Sequence, residues 1–329
     1  MRPWFDGWRR VFSAPAAIVG VFILTVVAAL PFALTLRDAL QDHFGASLAA
    51  NQAADSVNYD WWQEFAAQAD GIGTTFTTSV IGFATTLDSI SGLLDRRQLI
   101  TPIAAAVAFY LAAWLFVSGG ILDRYARGRG IGAYGFFAAS GTFFLRFLRL
   151  GLIAALVYWL LFTRVHEWLF DRYTNATRDV AIERTVFYWR LMMYAIFTAL
   201  LALTTVVFDY AKVRTVVEDR RSMAGALIAG IRFMVHHPRR VLAVYLLNTL
   251  LFLIVVGVWA LIAPGAGGSG LSMWMGVFAS QCYILARLVV KLQVMASETA
   301  AFQQSLAHWG YTAAPINEQP LPPVLSASA

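Results

Sequence analysis

Six runs of predominantly apolar residues divide the chain, and they constrain its fold more than any other feature of the sequence. A bilayer core about 30 Å thick is crossed by roughly 20 residues of α-helix, because each residue advances the helix by about 1.5 Å. We therefore expect an all-α fold, a polytopic transmembrane helical bundle of about six spans. The runs that meet this length lie at residues 14–36, 103–122, 147–163, 191–208, 241–263 and 271–290.

The composition excludes the other broad classes of protein. Of the 329 residues, 59% are hydrophobic and 13% are charged, whereas an average soluble protein has about 25% charged residues. The only cysteine, Cys282, cannot form a disulfide within the chain, so a secreted disulfide scaffold is excluded. The sequence predicts a multi-pass integral membrane protein.

The distribution of Lys and Arg predicts the orientation of the spans, because cytoplasmic flanks of membrane helices are enriched in these residues. Most of the 25 basic residues fall on one side if the N-terminus is cytoplasmic, and most of the 19 acidic residues fall on the other. We expect both termini in the cytoplasm, with anionic lipids binding the basic face. The Ala-, Arg- and Gly-rich composition suggests a bacterial inner (cytoplasmic) membrane. The net charge of +6 is explained by this topology and gives no support to nucleic-acid binding.

The segments outside the first span also have predicted roles. Residues 1–13 are expected to form an amphipathic cytoplasmic N-terminus, and residues 37–101 an extracytoplasmic helical insertion. Within that insertion, residues 76–94 either lie on or dip into the outer face as helices, or form a seventh span. Residues 102–311 are expected to form the remaining membrane bundle with its cytoplasmic helices. Residues 312–329, rich in Pro, Ala and Ser, are expected to be disordered.

Two cytoplasmic connections share a sequence plan, which predicts internal repeats. Asp123 and Asp209 each stand at the exit of a span and precede an aromatic residue, an alanine and a basic residue. The approach to Pro15 before the first span is similar to the approach to Pro238 before the fifth. The sixth span and its C-terminal extension would supply the missing half of a third unit. Chance similarity among apolar helices is the alternative explanation.

These motifs carry a resemblance to a known family. Asp60-Trp61-Trp62, Gly119-Gly120-Ile121-Leu122-Asp123-Arg124-Tyr125 and Asp209-Tyr210-Ala211-Lys212-Val213-Arg214 resemble an uncharacterised family of bacterial six-span integral membrane proteins, whose members are described only as hypothetical proteins. The resemblance covers residues 10–300. It implies a six-helix membrane fold, and it implies no substrate and no catalytic residue.

Five charged residues near the predicted span ends are candidates for a structural or gating role. They are Asp123, Arg146, Arg149, Asp209 and Arg287. Such residues commonly extend to the interface and form ion pairs there. The alternative is that the two carboxylates form an inner gate by pairing with the arginines.

Polar residues near the middle of the spans are the candidates for a substrate path. Asn248 and Gln281 are expected to form hydrogen bonds between helices. Alternatively they line a polar cavity together with Thr204, Thr205 or Trp114, as a transporter would require.

The segment 218–238 is a candidate contact surface. Arg220, Arg221 and Arg232 are placed to bind anionic lipid head groups if the segment lies on the membrane as an amphipathic helix. Alternatively the segment docks on a membrane-protein partner or a second copy of the chain.

Sequence motifs for catalysis, cofactors or metals give no assignment. The adjacent His236 and His237 point to different helix faces, which does not suit metal ligation. We therefore expect no cofactor, and an enzymatic role is the least favoured. The sequence favours a non-enzymatic role in assembly, envelope organisation or partner binding. The alternative is a small-molecule or lipid-handling transporter or permease subunit.

Overall fold

The computed structural model describes residues 2–45, 58–77, 84–99, 101–130, 132–263 and 270–306. Within these ranges the regular structure is helical and no strand occurs, which confirms the predicted all-α fold. The predicted disordered tail, residues 312–329, lies outside the described residues.

Eleven α-helices are numbered here along the described chain. They are α1 (Arg2–Phe12), α2 (Pro15–Phe44), α3 (Tyr59–Gln68), α4 (Ala84–Leu94), α5 (Thr101–Arg127), α6 (Ala133–Leu160), α7 (His166–Thr177), α8 (Glu183–Val217), α9 (Met223–His236), α10 (Pro238–Ile262) and α11 (Leu271–Gln303). A π-helical turn, Leu161–Val165, joins α6 to α7 so that they form one continuous helical segment.

Six helical segments of the described chain are long and apolar enough to cross a membrane. They are α2, α5, the continuous α6–α7 segment, α8, α10 and α11. Their exposed surfaces are rich in large apolar side chains such as Leu152, Leu253 and Phe278, which suits contact with lipid. The chain is thus a multi-pass membrane protein.

Three pairs of helices make the most extensive contacts in the described part of the chain: α5 with α6, α1 with α11, and α8 with α9. Small residues allow each close approach. A Cβ atom added at Gly120 of α5 would lie 2.6 Å from the Ser140 Oγ of α6, and one added at Gly7 of α1 would lie 2.9 Å from the Ser297 backbone nitrogen. Gly230 of α9 packs in the same way on the backbone of Ala211.

The pairing of α1 with α11 brings the first and last described helices together. The side-chain amide of Gln293 donates to the carbonyl oxygen of Trp4 at 2.8 Å, and that of Gln304 donates to Asp6 at 2.6 Å. Each of the three pairs therefore combines the end of a long helix with a helix that precedes or begins the next span. The predicted repeat, in which the third unit is divided between the two ends of the chain, stays a prediction.

The three pairs are packed through two buried clusters at the arginine-rich end of the bundle, one that includes Tyr210 and Phe302 and one that includes Val11 and Leu292. The last turns of α11 are almost fully buried there, although they are not strongly apolar: the buried run is Ala296, Ser297, Glu298, Thr299, Ala300, Ala301 and Phe302. Basic side chains also join the helices at this end. Arg10 donates to the carbonyl oxygen of Tyr125 at 2.7 Å, and burial lowers the pKa of Arg10 from its usual value, an effect that Asp6 opposes.

At the opposite end, α4 contacts α7 and α8 through polar side chains. Arg96 forms an ion pair with Glu167 at 3.0 Å, and the Tyr194 hydroxyl donates to Asp95. This hydrogen bond lowers the pKa of the Asp95 carboxyl below its usual value. In the described part of the chain, α4 covers eleven residues, fewer than the roughly 20 that a span needs, and the helical insertion stays a prediction. Residues 78–83 of the alternative seventh span lie outside the described residues.

We predict that Gly120→Ala destabilises the protein, because the new methyl group must displace Ser140 or the Phe136 ring, which would lie 2.8 Å away. Overpacking of this kind costs about 1–3 kcal/mol. The matched control is Gly141→Ala, since a Cβ atom there meets nothing within 4 Å. Thermal unfolding of the purified protein in detergent should show a lower midpoint for Gly120→Ala only. Equal midpoints for the two variants would contradict the close packing of α5 on α6.

Candidate functional site

The pairing of α10 with α11 establishes which part of α11 lies level with a fully apolar span. The ring of Trp259 stacks on Tyr283 with centroids 4.5 Å apart, and the Asn248 side-chain amide donates to the Ser297 hydroxyl at 2.9 Å. Between these two contacts α11 carries Arg287 and Lys291. From residue 241 to 262, α10 contains no charged residue. Arg287 and Lys291 therefore lie level with the hydrophobic part of the bundle.

This position corrects the expectation that Arg287 lies near the end of a span. The apolar run predicted a span ending at residue 290, but α11 continues unbroken to Gln303. Lys291 consequently lies about 18 Å from the end of the helix, at a rise of about 1.5 Å per residue. The part of α11 after residue 290 is weakly apolar and is buried by neighbouring helices. The hydropathy of one segment does not reveal such burial, so the sequence placed the end of the span too early.

A cavity of about 890 Å³ lies between α2, α5, α8, α10 and α11. Most of its wall is apolar, with large side chains at Phe32, Val107, Phe252 and Ile284. Polar and charged residues line the rest: Thr25, Tyr110, Thr205, Asp209, Tyr245, Asn248, Thr249, Arg287, Lys291 and Glu298. The cavity thus combines a largely apolar wall with a group of ionisable side chains.

Two cations on the cavity wall are held by aromatic rings. The Lys291 ammonium lies 3.5 Å from the centroid of the Trp114 ring and 5.6 Å from that of Tyr110. The Arg287 guanidinium lies 5.6 Å from the centroid of Tyr283. In the described ranges no carboxylate lies within 4.0 Å of either cation. Cation–π contacts of this kind attract a positive charge without neutralising it. Both side chains therefore present positive charge to the cavity.

The acidic side chains of the cavity differ from one another in their partners. Asp209 forms an ion pair with Lys212 one turn later on α8, at 2.5 Å, and the two side chains are only 22% and 26% exposed. Glu298 is 5% exposed, and among the described residues no cation lies within 4.0 Å of its carboxylate. Lys212 is thus in direct contact with Asp209 and acts on Glu298 only from beyond 4.0 Å.

Asn248 connects the cavity to the N-terminal helix. Its side-chain oxygen accepts a hydrogen bond from the Trp4 indole nitrogen at 3.1 Å, while its amide group donates to Ser297. Asn248 is almost fully buried, and these two bonds use both ends of its amide. The position of α1 is therefore coupled to the cavity wall.

Four of the sequence-derived candidates line the cavity: Asp209, Arg287, Asn248 and Thr205. Gln281 does not: its side chain is exposed on the lipid-facing surface, and Asn248 hydrogen-bonds Trp4 and Ser297 instead. The hydroxyl groups of Thr204 and Thr205 each donate to a backbone oxygen four residues earlier on α8, and Thr205 also lines the cavity.

The other charged candidates lie elsewhere. Asp123 is bonded to Arg127 on its own helix at 2.9 Å, and Arg146 pairs with Asp219 at 2.5 Å. The Arg149 side chain is exposed. The alternative, in which Asp123 and Asp209 pair with Arg146, Arg149 or Arg287, does not occur, because each carboxylate pairs with a basic residue three or four positions later on its own helix.

The residues of the candidate contact surface lie on or beside α9. Arg220 forms an ion pair with Glu218, whereas Arg221 and Arg232 are exposed. Ile228 and Val235 of α9 are also exposed, so the helix has an uncovered apolar face next to basic side chains. This combination suits an interface with lipid head groups.

Sequence reasoning missed Lys291, Glu298 and Lys212 as parts of the site. The signal that could have found them is spacing, since Arg287, Lys291 and Glu298 recur at intervals of four and seven residues and so share one face of α11. A charged stripe on a long helix that is otherwise apolar indicates a functional face. Among the described residues, His, Cys, Asp and Glu form no group of three or more that could hold a metal ion.

A scan against models of known protein families found no match to this chain, and searches of the curated proteins and of the solved structures found none either. Function is therefore inferred from the residues of the chain itself.

We predict that Lys212→Met destabilises the protein, because it leaves the Asp209 carboxylate half-buried without its cation. Loss of one partner of a buried pair costs about 3–5 kcal/mol, and we expect about 2 kcal/mol here because both side chains keep some exposure. Adding Asp209→Asn to Lys212→Met should recover part of the loss.

The matched control for this prediction is the ion pair between Arg97 and Asp88, whose side chains are 60% and 38% exposed. Arg97→Met should cost less than about 1 kcal/mol, as is typical of surface pairs. Unfolding midpoints in detergent compare the variants. If Lys212→Met were no less stable than Arg97→Met, the pair would not be the buried interaction described here.

Proposed function

We propose that the protein is a lipid-handling transporter or permease subunit, whose cavity binds amphiphilic molecules with an anionic group in the head. The observation that carries this proposal is the presence of Arg287 and Lys291, without carboxylate partners in the described chain, on the wall of a largely apolar cavity. An anionic head group would neutralise these cations, and the apolar wall would accommodate a hydrocarbon chain.

The energetics of the membrane support this reading. A charged side chain at the centre of a span costs about 2.5–3.5 kcal/mol on insertion scales, so such residues usually face a cavity, an ion path or a ligand. The cavity volume of about 890 Å³ is within the range of about 300–1,000 Å³ that is usual for ligand sites. A bound anionic ligand would therefore offset the free energy that it costs to place Lys291 and Arg287 within the membrane.

The role that the sequence favoured, in assembly, envelope organisation or partner binding without catalysis, has less geometric support. Its main observation is the exposed apolar face of α9, which includes Ile228, Ile231 and Val235. The arginines beside that face suit lipid contact at least as well as a protein partner. A transporter requires a binding site, which the cavity provides. For a role in assembly, the described residues offer only the exposed face of α9.

The cellular location and the orientation are part of the proposal. We place the chain in a bacterial inner membrane with both termini in the cytoplasm, as a member of the uncharacterised six-span family that its motifs resemble. The clustering of Arg10, Arg124 and Arg146 at one end of the bundle supports this orientation, because basic ends are retained on the cytoplasmic side. Anionic lipids would then bind Arg221 and Arg232.

The binding proposal is tested with pyrene-labelled phosphatidic acid added to the full-length protein in a neutral detergent. Energy transfer from the protein's tryptophans to pyrene reports binding. We expect Lys291→Gln and Arg287→Gln each to weaken binding at least about tenfold, because a hydrogen bond to a charged group contributes about 1.5–3 kcal/mol. Arg178→Gln, at an exposed residue outside the cavity and away from the candidate contact surface, is the control and should bind as the wild type does. Unchanged affinity in both cavity variants would overturn the proposal.

The orientation is tested by labelling single cysteines in intact cells with a membrane-impermeant maleimide, after Cys282→Ser removes the native thiol. Arg221→Cys should be labelled only after the membrane is opened. Asp179→Cys, in the exposed connection at the opposite end of the bundle, should be labelled without opening. The reverse pattern would contradict the cytoplasmic placement of the termini.

A further inference from the structure

The charged residues of the cavity are separated by sign along α11. Arg287 and Lys291 lie one turn apart, and Glu298 lies on the same face seven residues beyond Lys291. The rise between Lys291 and Glu298 is about 10 Å at about 1.5 Å per residue. All three side chains line the same cavity. The cavity therefore has two basic side chains at one level of α11 and a carboxyl group about 10 Å further along the helix axis.

Glu298 has the properties of a ligand-binding carboxylate. It is 5% exposed, it lines the cavity, and no cation of the described residues lies within 4.0 Å of it. Lys212, the cation that acts on Glu298 from a longer distance, is in direct contact with the other acid of the cavity, Asp209, at 2.5 Å. An unpaired carboxylate in such a place is costly unless a cation or a proton reaches it. A ligand with a cationic group would satisfy it.

The spacing selects among ligands. Consider a ligand in which a two-carbon linker joins a phosphate to an ammonium, with a charge-assisted hydrogen bond of about 2.8 Å at each end. The total length of this arrangement is about equal to the rise between Lys291 and Glu298 along the helix axis. A head group with a phosphate alone would contact the cations and leave Glu298 unpaired. A head group with an ammonium alone would leave both cations unpaired.

We infer that the cavity is selective for a zwitterionic phospholipid, with its phosphate at Arg287 and Lys291 and its primary ammonium at Glu298. This inference rests on the proposed function and adds the chemistry of the head group to it. The apolar wall at Phe252 and Ile284 would contact the acyl chains. The hydroxyl groups of Tyr245 and Thr249 offer further polar contacts to the head group.

The test compares phosphatidylethanolamine with phosphatidic acid of the same acyl chains, each measured by native mass spectrometry of the full-length protein. The wild type should bind phosphatidylethanolamine at least about tenfold more tightly, since one charge-assisted contact is added. Glu298→Gln should abolish this preference and leave the affinity for phosphatidic acid unchanged or higher. Lys291→Gln should weaken binding of both lipids equally. The control is Glu167→Gln, which removes an acid from the opposite end of the bundle and should change neither affinity.

The two proposals fail in different ways. If Glu298→Gln leaves the ratio of the two affinities unchanged, or if the wild type prefers phosphatidic acid, the zwitterion inference is overturned while the loss in Lys291→Gln still supports the proposed function. If neither Lys291→Gln nor Arg287→Gln changes either affinity, both proposals fail. Competition by glycerophosphoethanolamine, which lacks acyl chains, identifies the source of the ligand. Weak competition is expected, and competition as strong as that of the lipid would overturn the assignment to a membrane lipid.

Discussion

The pairing of α10 with α11 is the interaction on which the rest of the site depends. The contacts of Trp259 with Tyr283 and of Asn248 with Ser297 hold the charged part of α11 level with an uncharged span. Because the following turns of α11 are buried by neighbouring helices, the chain cannot shift outward to bring Arg287 and Lys291 to the interface. This alignment of α10 with α11 places the two cations beside aromatic rings. It also places them on the wall of the cavity.

Much of the fold could be predicted from the sequence. Hydropathy alone indicates six spans, and the similar segments around Asp123 and Asp209 indicate repeated helix pairs. The site was only partly predictable, because it depends on how far α11 continues beyond its most apolar run. The weakly apolar sequence after Lys291 resembles a cytoplasmic segment until α1 and α10 are packed against it. Gln281 shows the opposite error, since a polar residue inside a predicted span turns out to face outward.

The N-terminal helix gives the cavity a connection to the surface of the bundle. Trp4 of α1 holds the same Asn248 that lines the cavity, and Gly7 allows α1 to approach α11 closely. The first and last described helices are therefore packed next to the proposed ligand site. Exposed Phe5 and Phe12 on α1 suit insertion into the head-group layer, where amphipathic helices bind. In this account the same membrane surface supplies both the contacts of α1 and the lipid in the cavity.

The central claim is that positive side chains within the hydrophobic part of the bundle hold the head group of a lipid. An electron cryomicroscopy map of the full-length protein in nanodiscs made from a mixed bacterial lipid extract tests it most directly. The account predicts density for a head group between Lys291 and Glu298, continuous with density for an acyl chain along Phe252 and Ile284. A map in which the cavity is closed by movement of α2, or in which Lys291 reaches the membrane surface, would contradict the account.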